Sequence, residues 1–238
     1  MSLPRCSIVI PAREEGLRIT GVLDRIKEAV QIDFECLVVI DNPADPTYSP
    51  VLDYSATDSR FHVLVNSLSR GPAAAIKYGI ENAASDVIVV TMADGSDDPA
   101  DIPELVKLIE RGVVIAAASR YMPGGQQVGA PFTKSLLSRA AGRTLNLFRR
   151  VGTNDSTNSF KAYNSKFLKD VGIESLHGFE IAIELVAKAK RYNLPVAEVP
   201  TIWLERSYGK SSFKMWRWLP RYLKWYLYAF GTKRDGTK

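Results

Sequence analysis

The sequence predicts an α/β domain built on a mostly parallel central sheet with helices on both faces. Three features predict it. Five short runs are apolar almost without interruption, stretches of helical spacing lie between them, and acids stand just past the ends of three runs. A run without polar alternation suits a strand buried on both sides, as parallel strands covered twice are.

In chain order, SIVIPA (7–12) reads as the first strand, and residues 19–30 as a helix with Leu23, Ile26 and Val30 on one face. CLVVID (36–41) is the second strand and FHVLVN (61–66) the third. After Gly71 the alanine-rich PAAAIKYGIENAA suits a helix. DVIVVT (86–91) is the fourth strand, residues 102–110 a helix, and VVIAAAS (113–119) the fifth strand. Ligands of such sheets bind beyond the carboxyl ends of the strands. Glu14 and Glu15, Asp41 and Asp94 stand there after separate strands, a convergence that solvation explains poorly.

After residue 120 the pattern changes. YMPGGQQVGAP (121–131) is a Gly/Pro-rich loop. Residues 133–150 read as a helix with Leu136, Leu137, Ala140, Thr144, Leu145 and Phe148 expected inward, flanked by Lys134, Arg139, Arg143, Arg149 and Arg150. A polar segment (152–159) leads into FKAYN. Residues 178–193 form another helix, and PVAEVPTIWLE (195–205) an edge strand. No internal repeat or linker divides the chain. The expected organisation is one domain over 1–212, then a basic aromatic segment over 213–238 that joins it or meets a membrane surface.

The 238 residues, 46% hydrophobic, are enough for a packed core. No run approaches the roughly 20 apolar residues of a membrane-spanning helix. Cys6 and Cys36 are too few for a disulfide scaffold or a metal knuckle and are expected buried and reduced. No signal-peptide pattern is visible, which points to a cytoplasmic location. The net charge of +5 is uneven: residues 205–238 hold nine Lys/Arg and two acids, a local +7 that leaves −2 elsewhere. All four tryptophans, Trp203, Trp216, Trp218 and Trp225, lie at this end. Arg217, Arg221 and Lys224 recur at helical spacing beside a broad aromatic face. That suits a helix lying among lipid headgroups on the inner face of a membrane, or one packed on the core or on a second copy. Pro220 is expected to interrupt any straight helix. A nucleic-acid partner is disfavoured, because the strand-end acids repel phosphates.

The stretch VVTMADGSDDPAD (89–101) concentrates Asp94, Asp97, Asp98 and Asp101. Helix caps account for part of it: Asp98 before Pro99 fits an N-cap, and Asp101 with Glu104 a capping box. Asp94 and Asp97 precede those positions. A hard cation such as Mg²⁺ or Mn²⁺ takes one or two carboxylates and fills its shell with water and phosphate oxygens, so an acidic loop at a sheet mouth suits a nucleoside diphosphate. No nucleophile elbow, Walker lysine or G-x-G-x-x-G turn occurs, and His62 and His177 stand alone, more simply structural.

Together, SIVIPAREE, VVIDNPADPT, RGPAAAIKYGI, TMADGSDDP, ASRYMPGG, DSTNSFKAY and EVPTIWLERSYGKSSF resemble, in order, the motifs of the inverting family 2 glycosyltransferases of GT-A type. Within them the likeness is greatest to the dolichyl- or polyprenyl-phosphate sugar synthases, over about residues 6–230. The resemblance implies a Rossmann-like GT-A fold, a nucleotide-diphosphate-sugar donor and a polyprenyl phosphate acceptor. A soluble acceptor, or a weakened nucleotide-sugar-binding protein, is the alternative. Departures are Ile40 for the first base-binding acid, Met92 for the first acid of Asp-x-Asp, and Ser159 and Lys161 for glycine and arginine.

By this resemblance Pro11, Ala12, Arg13, Glu15, Asp41, Gly71 and Asp94 line the nucleotide. Asp94, with Ser96 or Asp97, holds Mg²⁺ or Mn²⁺. Arg206 and Lys210 clamp the diphosphate, Arg suiting bidentate phosphate contacts. Arg120 reaches the acceptor or diphosphate, or forms a surface salt bridge. Asp155 is the base, an acceptor-positioning acid, or a cap for the turn at Ser156–Thr157. A phosphate acceptor, with a second pKa of about 6, needs no strong base.

Overall fold

The computed structural model describes residues 3–205 and 215–232. Its centre is a seven-stranded sheet. The first half of the chain supplies β1 (Cys6–Pro11), β2 (Phe34–Ile40), β3 (Phe61–Val65), β4 (Val87–Val90) and β5 (Ile115–Ser119). The second half adds β7 (Lys161–Asn164) and β8 (Val196–Pro200). The order is β3-β2-β1-β4-β7-β5-β8, and every neighbouring pair is parallel except those of β7, which runs antiparallel between β4 and β5.

The uninterrupted apolar strands have a direct cause: both faces are buried. Cys6, Ile8 and Ile10 of β1, with alternate residues of β2, meet α1 (Arg18–Ala29), α2 (Tyr48–Thr57) and α4 (Ile102–Glu110). Val9, Leu37 and Val39 face the other way, toward α3 (Pro72–Glu81), α6 (Ser165–Val171) and α7 (Ile181–Arg191). Cys6 and Cys36 are free and buried in the first layer, and burial pushes the Cys6 thiol up to about 12.

Several elements depart from the sequence reading. β7, α2 and α6 were not expected. The strand expected over 195–205 splits at Thr201: β8 edges the main sheet, while β9 (Ile202–Leu204) pairs with β6 (Gln126–Val128) in a separate two-stranded ribbon. Thr201 serves both, donating to the Ser119 carbonyl (3.1 Å) and accepting from Gln126 N (2.9 Å). Asp98 caps the turn before α4 through Ala100 N (3.1 Å), but Asp101 makes no cap bond and Glu104 pairs with Lys107 instead. The capping box therefore does not form. α8 (Met215–Tyr228) runs through Pro220, which sits in its second turn, where the missing N–H removes one helical bond.

The largest departure is α5 (Phe132–Arg149). Of the residues expected inward only Leu145 is buried, while Leu136, Leu137 and Phe148 are exposed. The helix packs through its small residues instead. A Cβ at Gly142 would lie 2.0 Å from the Asn154 carbonyl oxygen, so the 153–155 loop passes directly over the helix backbone.

Candidate active site

Because β2, β1 and β4 are neighbours, the loops at their carboxyl ends lie side by side. That places Asp41, Glu15 and Asp94 over three adjacent strand ends. Pro11 and Ala12 are buried where β1 ends, and Arg13 is exposed. Beyond them the chain turns through Glu14, held at φ 57 by its N–H, which donates to Asp45 Oδ2 (2.9 Å). The Glu15 N–H donates to Thr47 Oγ1 (3.0 Å), and the partly buried Glu15 side chain stands 3.9 Å from Arg18 Nη2. Asp41 accepts from Asn66 Nδ2 (2.8 Å) and Gly71 N (2.9 Å). Gly71 has φ 130, and a Cβ there would meet the His177 carbonyl oxygen at 2.7 Å, so a side chain is excluded twice over.

At the end of β4 the two central acids separate by environment. Asp94 lines the main cavity, and its Oδ1 accepts from Ser96 N (3.1 Å). Asp97 turns inward. Its Oδ2 accepts from Thr91 Oγ1 (2.9 Å) and Met92 N (3.0 Å), while Oδ1 is buried with no hydrogen-bond partner among the described residues. Burial, and then the neighbouring Asp94, push the Asp97 carboxyl up to about 7. Arg25 of α1 fixes the loop by donating to the carbonyls of Gly95 (2.7 Å) and Asp97 (3.1 Å).

Opposite this loop lies a buried ionic group. Arg120, at the end of β5, grips Asp155 with Nε (2.7 Å) and Nη2 (2.9 Å). Burial alone would raise the Asp155 carboxyl, but the Arg120 charge and hydrogen bonds outweigh it and hold the group below its ordinary range. Lys161 is fully buried beneath them and donates to the carbonyls of Asn158 and Ser156. Burial brings the Lys161 amine down to about 7, against the pull of Asp155. Glu198 of β8 completes the tether, accepting from Asn154 N (2.7 Å) and Thr153 Oγ1 (3.0 Å). Four charged side chains thus set the 153–159 loop.

Between the acidic loop and this group opens a cavity of about 290 Å³. Asp94, Ser96, Arg120, Asn158 and Glu205 are among its polar lining; Leu137, Phe179 and Leu219 are among the apolar. Glu15 and Asp41 lie outside its lining, on the far side of Asp94. Arg206 and Lys210 fall outside the described residues.

The Glycosyl transferase family 2 sequence pattern matches residues 7–172, from β1 into the end of α6. The chain belongs to this family. A dolichol-phosphate mannosyltransferase of Pyrococcus furiosus is 30% identical over 93% of the chain, which spans 64% of that relative's length. A polyprenol monophosphomannose synthase of Mycolicibacterium smegmatis is 28% identical over 87% of the chain and 80% of its own length. In architecture the chain matches a Mycobacterium tuberculosis glucosyl-3-phosphoglycerate synthase solved with Mn²⁺ and UDP. The TM-score is 0.70 at 17% identity, over 97% of this chain and 81% of the other, a likeness that shows the GT-A fold.

Membership gives the motif segments their order, and the geometry adds residues that the sequence reading left without a role: Asp45 and Thr47, which fix the Glu14–Glu15 turn, and Lys161 and Glu198, which fix the 153–159 loop. Asp45 and Thr47 stand inside VVIDNPADPT. Lys161 and Glu198 carry no mark of burial in the sequence.

Proposed function

We propose that the chain transfers a sugar from a nucleoside diphosphate sugar to a polyprenyl phosphate at a membrane surface, inverting the anomeric centre. One observation carries this reading: the cavity beside Asp94 has Arg120 and the polar Thr157–Ser159 loop on one side and apolar side chains of α5 and α8, with Phe179 and Trp203, on others, and α5 and α8 also leave leucines exposed outside it. An acceptor with a phosphate head and a hydrocarbon tail matches both. The names of the two mannosyltransferase relatives point the same way. Among the described residues no helix is long and apolar enough to cross a membrane.

In this reading the nucleotide lies over β1 and β2, near Glu15, Asp41 and Gly71, with its diphosphate toward Asp94. Arg206 and Lys210 clamp that diphosphate. Asp94 offers a carboxylate to the cavity, as a divalent cation requires, and Asp97, turned inward next in the same loop, leaves Oδ1 buried without a hydrogen-bond partner among the described residues, a second oxygen that a bound cation could draw on. Asp94, with Ser96 or Asp97, would hold Mg²⁺ or Mn²⁺, and a bound cation would offset the charge that develops on the leaving diphosphate.

An acceptor phosphate oxygen attacks the anomeric carbon as the bond to the diphosphate oxygen breaks on the opposite face. The phosphate, with a second pKa of about 6, arrives ionised and needs no base. Asp155 therefore positions rather than accepts a proton. Its oxygens are taken by Arg120, which it holds at the cavity wall for the incoming phosphate.

The test is transfer of label from a panel of nucleotide sugars to polyprenyl phosphate, with and without Mn²⁺. Lipid-linked product from at least one donor is expected; none from any donor overturns the reading. Asp94→Asn is expected to abolish the metal-dependent thermal stabilisation by nucleoside diphosphate, which reaches about 2.7 kcal/mol at a hundredfold excess over Kd. An unchanged shift removes Asp94 from the site.

A further inference from the structure

Far from the acidic loop, α5, α7 and α8 end together. A second cavity of about 290 Å³ opens there, lined by Phe148, Arg149, Arg150, Lys190, Arg191 and Gly231. Four of these residues are cationic and none is acidic. Main-chain capping explains two of them. Arg149 donates to the carbonyls of Ala229 (3.0 Å) and Gly231 (3.3 Å), and Arg191 to that of Thr232 (2.8 Å). Among the described residues these bonds leave Arg149 Nη1 and both Arg191 Nη atoms without a hydrogen bond, on guanidiniums whose orientation is already fixed.

Capping does not explain Arg150. It ends α5 in the left-handed conformation, φ 50, a position that ordinarily takes glycine or asparagine. A long cation stands there against backbone preference. The rim adds a second observation. Phe148, which lines the cavity, is 65% exposed and its neighbour Leu147 73%, and Leu227 and Phe230 stand exposed at and just past the end of α8. A preorganised cationic hollow beside apolar side chains matches the boundary between headgroup and acyl chain. A site for a phosphate in free solution has no use for such a rim.

We propose that the cavity where α5, α7 and α8 end binds the phosphate of an anionic phospholipid, with Leu147 and Phe148 seated among the acyl chains beside it. This rests on the membrane-surface part of the proposed function and assigns that surface a discrete headgroup site.

The experiment is co-sedimentation of the full chain with phosphatidylcholine vesicles, with and without phosphatidylglycerol. The wild type is expected to partition onto the anionic vesicles. Arg150→Gly is expected to lower that partitioning about fivefold, the weight of one cation at an anionic surface. It should also leave the melting temperature unchanged or raised, since glycine relieves the backbone. Gly231→Val changes no charge, but its side chain displaces Arg191, whose Nη1 lies 2.7 Å from where a Cβ would stand. A comparable loss is expected.

If the wild type ignores anionic vesicles, the membrane reading and this site fall together. If it binds and both variants bind equally well, only the site falls. Loss in Arg150→Gly with full binding by Gly231→Val indicates a diffuse field and also overturns the site. If inorganic phosphate at matched ionic strength stabilises the wild type but not Arg150→Gly, while vesicle binding is indifferent to Arg150, the ligand is a soluble phosphate and the lipid assignment is wrong.

Discussion

α4 and α5 are both amphipathic, and they turn their apolar faces in opposite directions. α4 buries Ile102, Leu105, Val106 and Ile109 against the sheet, whereas α5 leaves Phe132, Leu136, Leu137, Leu147 and Phe148 outside. The contrast extends to the two halves of the chain. Up to β5 the interior is mostly apolar, and Asp97 is the one charged side chain buried among the described residues. After β5 the interior takes in Arg120, Asp155, Lys161, Glu184 and Lys188, while apolar side chains of α5 and α8 face outward. The second half thus reverses the usual arrangement, with charge inside and apolar side chains outside, which is the arrangement that the proposed reaction at a lipid surface would use.

The most damaging way to break this contrast is to strip a partner from the buried ions. Asp155→Asn leaves the Arg120 guanidinium inside without its carboxylate and is expected to cost about 3–5 kcal/mol in urea unfolding. Its sign with pH follows from the depressed Asp155 carboxyl: the stability it contributes is present above its ordinary value of 3.8 and lost as pH falls through and below it. The variant should lack that part of the acid limb. A variant as stable as the wild type at neutral pH would show that the pair contributes nothing to the fold. Next in size, Leu105→Ala in α4 is expected to cost about 2–5 kcal/mol through the cavity it opens. The same change at Leu136 in α5 is expected to stay within about 0.5 kcal/mol. Equal losses at the two positions would mean that the outer face of α5 is covered in solution, by a second copy for instance.

The same contrast marks what the sequence made legible. Parallel strands covered on both faces leave uninterrupted apolar runs, so β1 to β5 could be read directly, and the acids past β1, β2 and β4 stood out against them. β7 was hidden because its four residues, opening on Lys161 and closing on Asn164, carry little apolar pattern. Buried charge has no signature of its own: Asp155, Glu198 and Lys161 look in the sequence like any surface charge, and only the fold brings them together. Periodicity in α5 revealed an apolar face but not what covers it. Gly142 was the overlooked hint, since a glycine inside a helix marks close approach of another backbone.

The smallest expected effect is the one that separates the two kinds of apolar face most cleanly. Leu147→Ser removes a side chain that is already 73% exposed, so it takes almost nothing from the folded core, and chemical unfolding should move by less than about 0.5 kcal/mol. On vesicles the same side chain passes from water into an apolar boundary, where burying a leucine is worth about 1.5–3 kcal/mol when complete and less when partial. A loss of about threefold to tenfold in partitioning is expected, corresponding to roughly half that range. For a residue of α4 the order would reverse, with a large effect on folding and none on lipid. If Leu147→Ser destabilises the fold and leaves partitioning unchanged, α5 belongs with α4, and the outward face is an ordinary packing surface whose partner is protein.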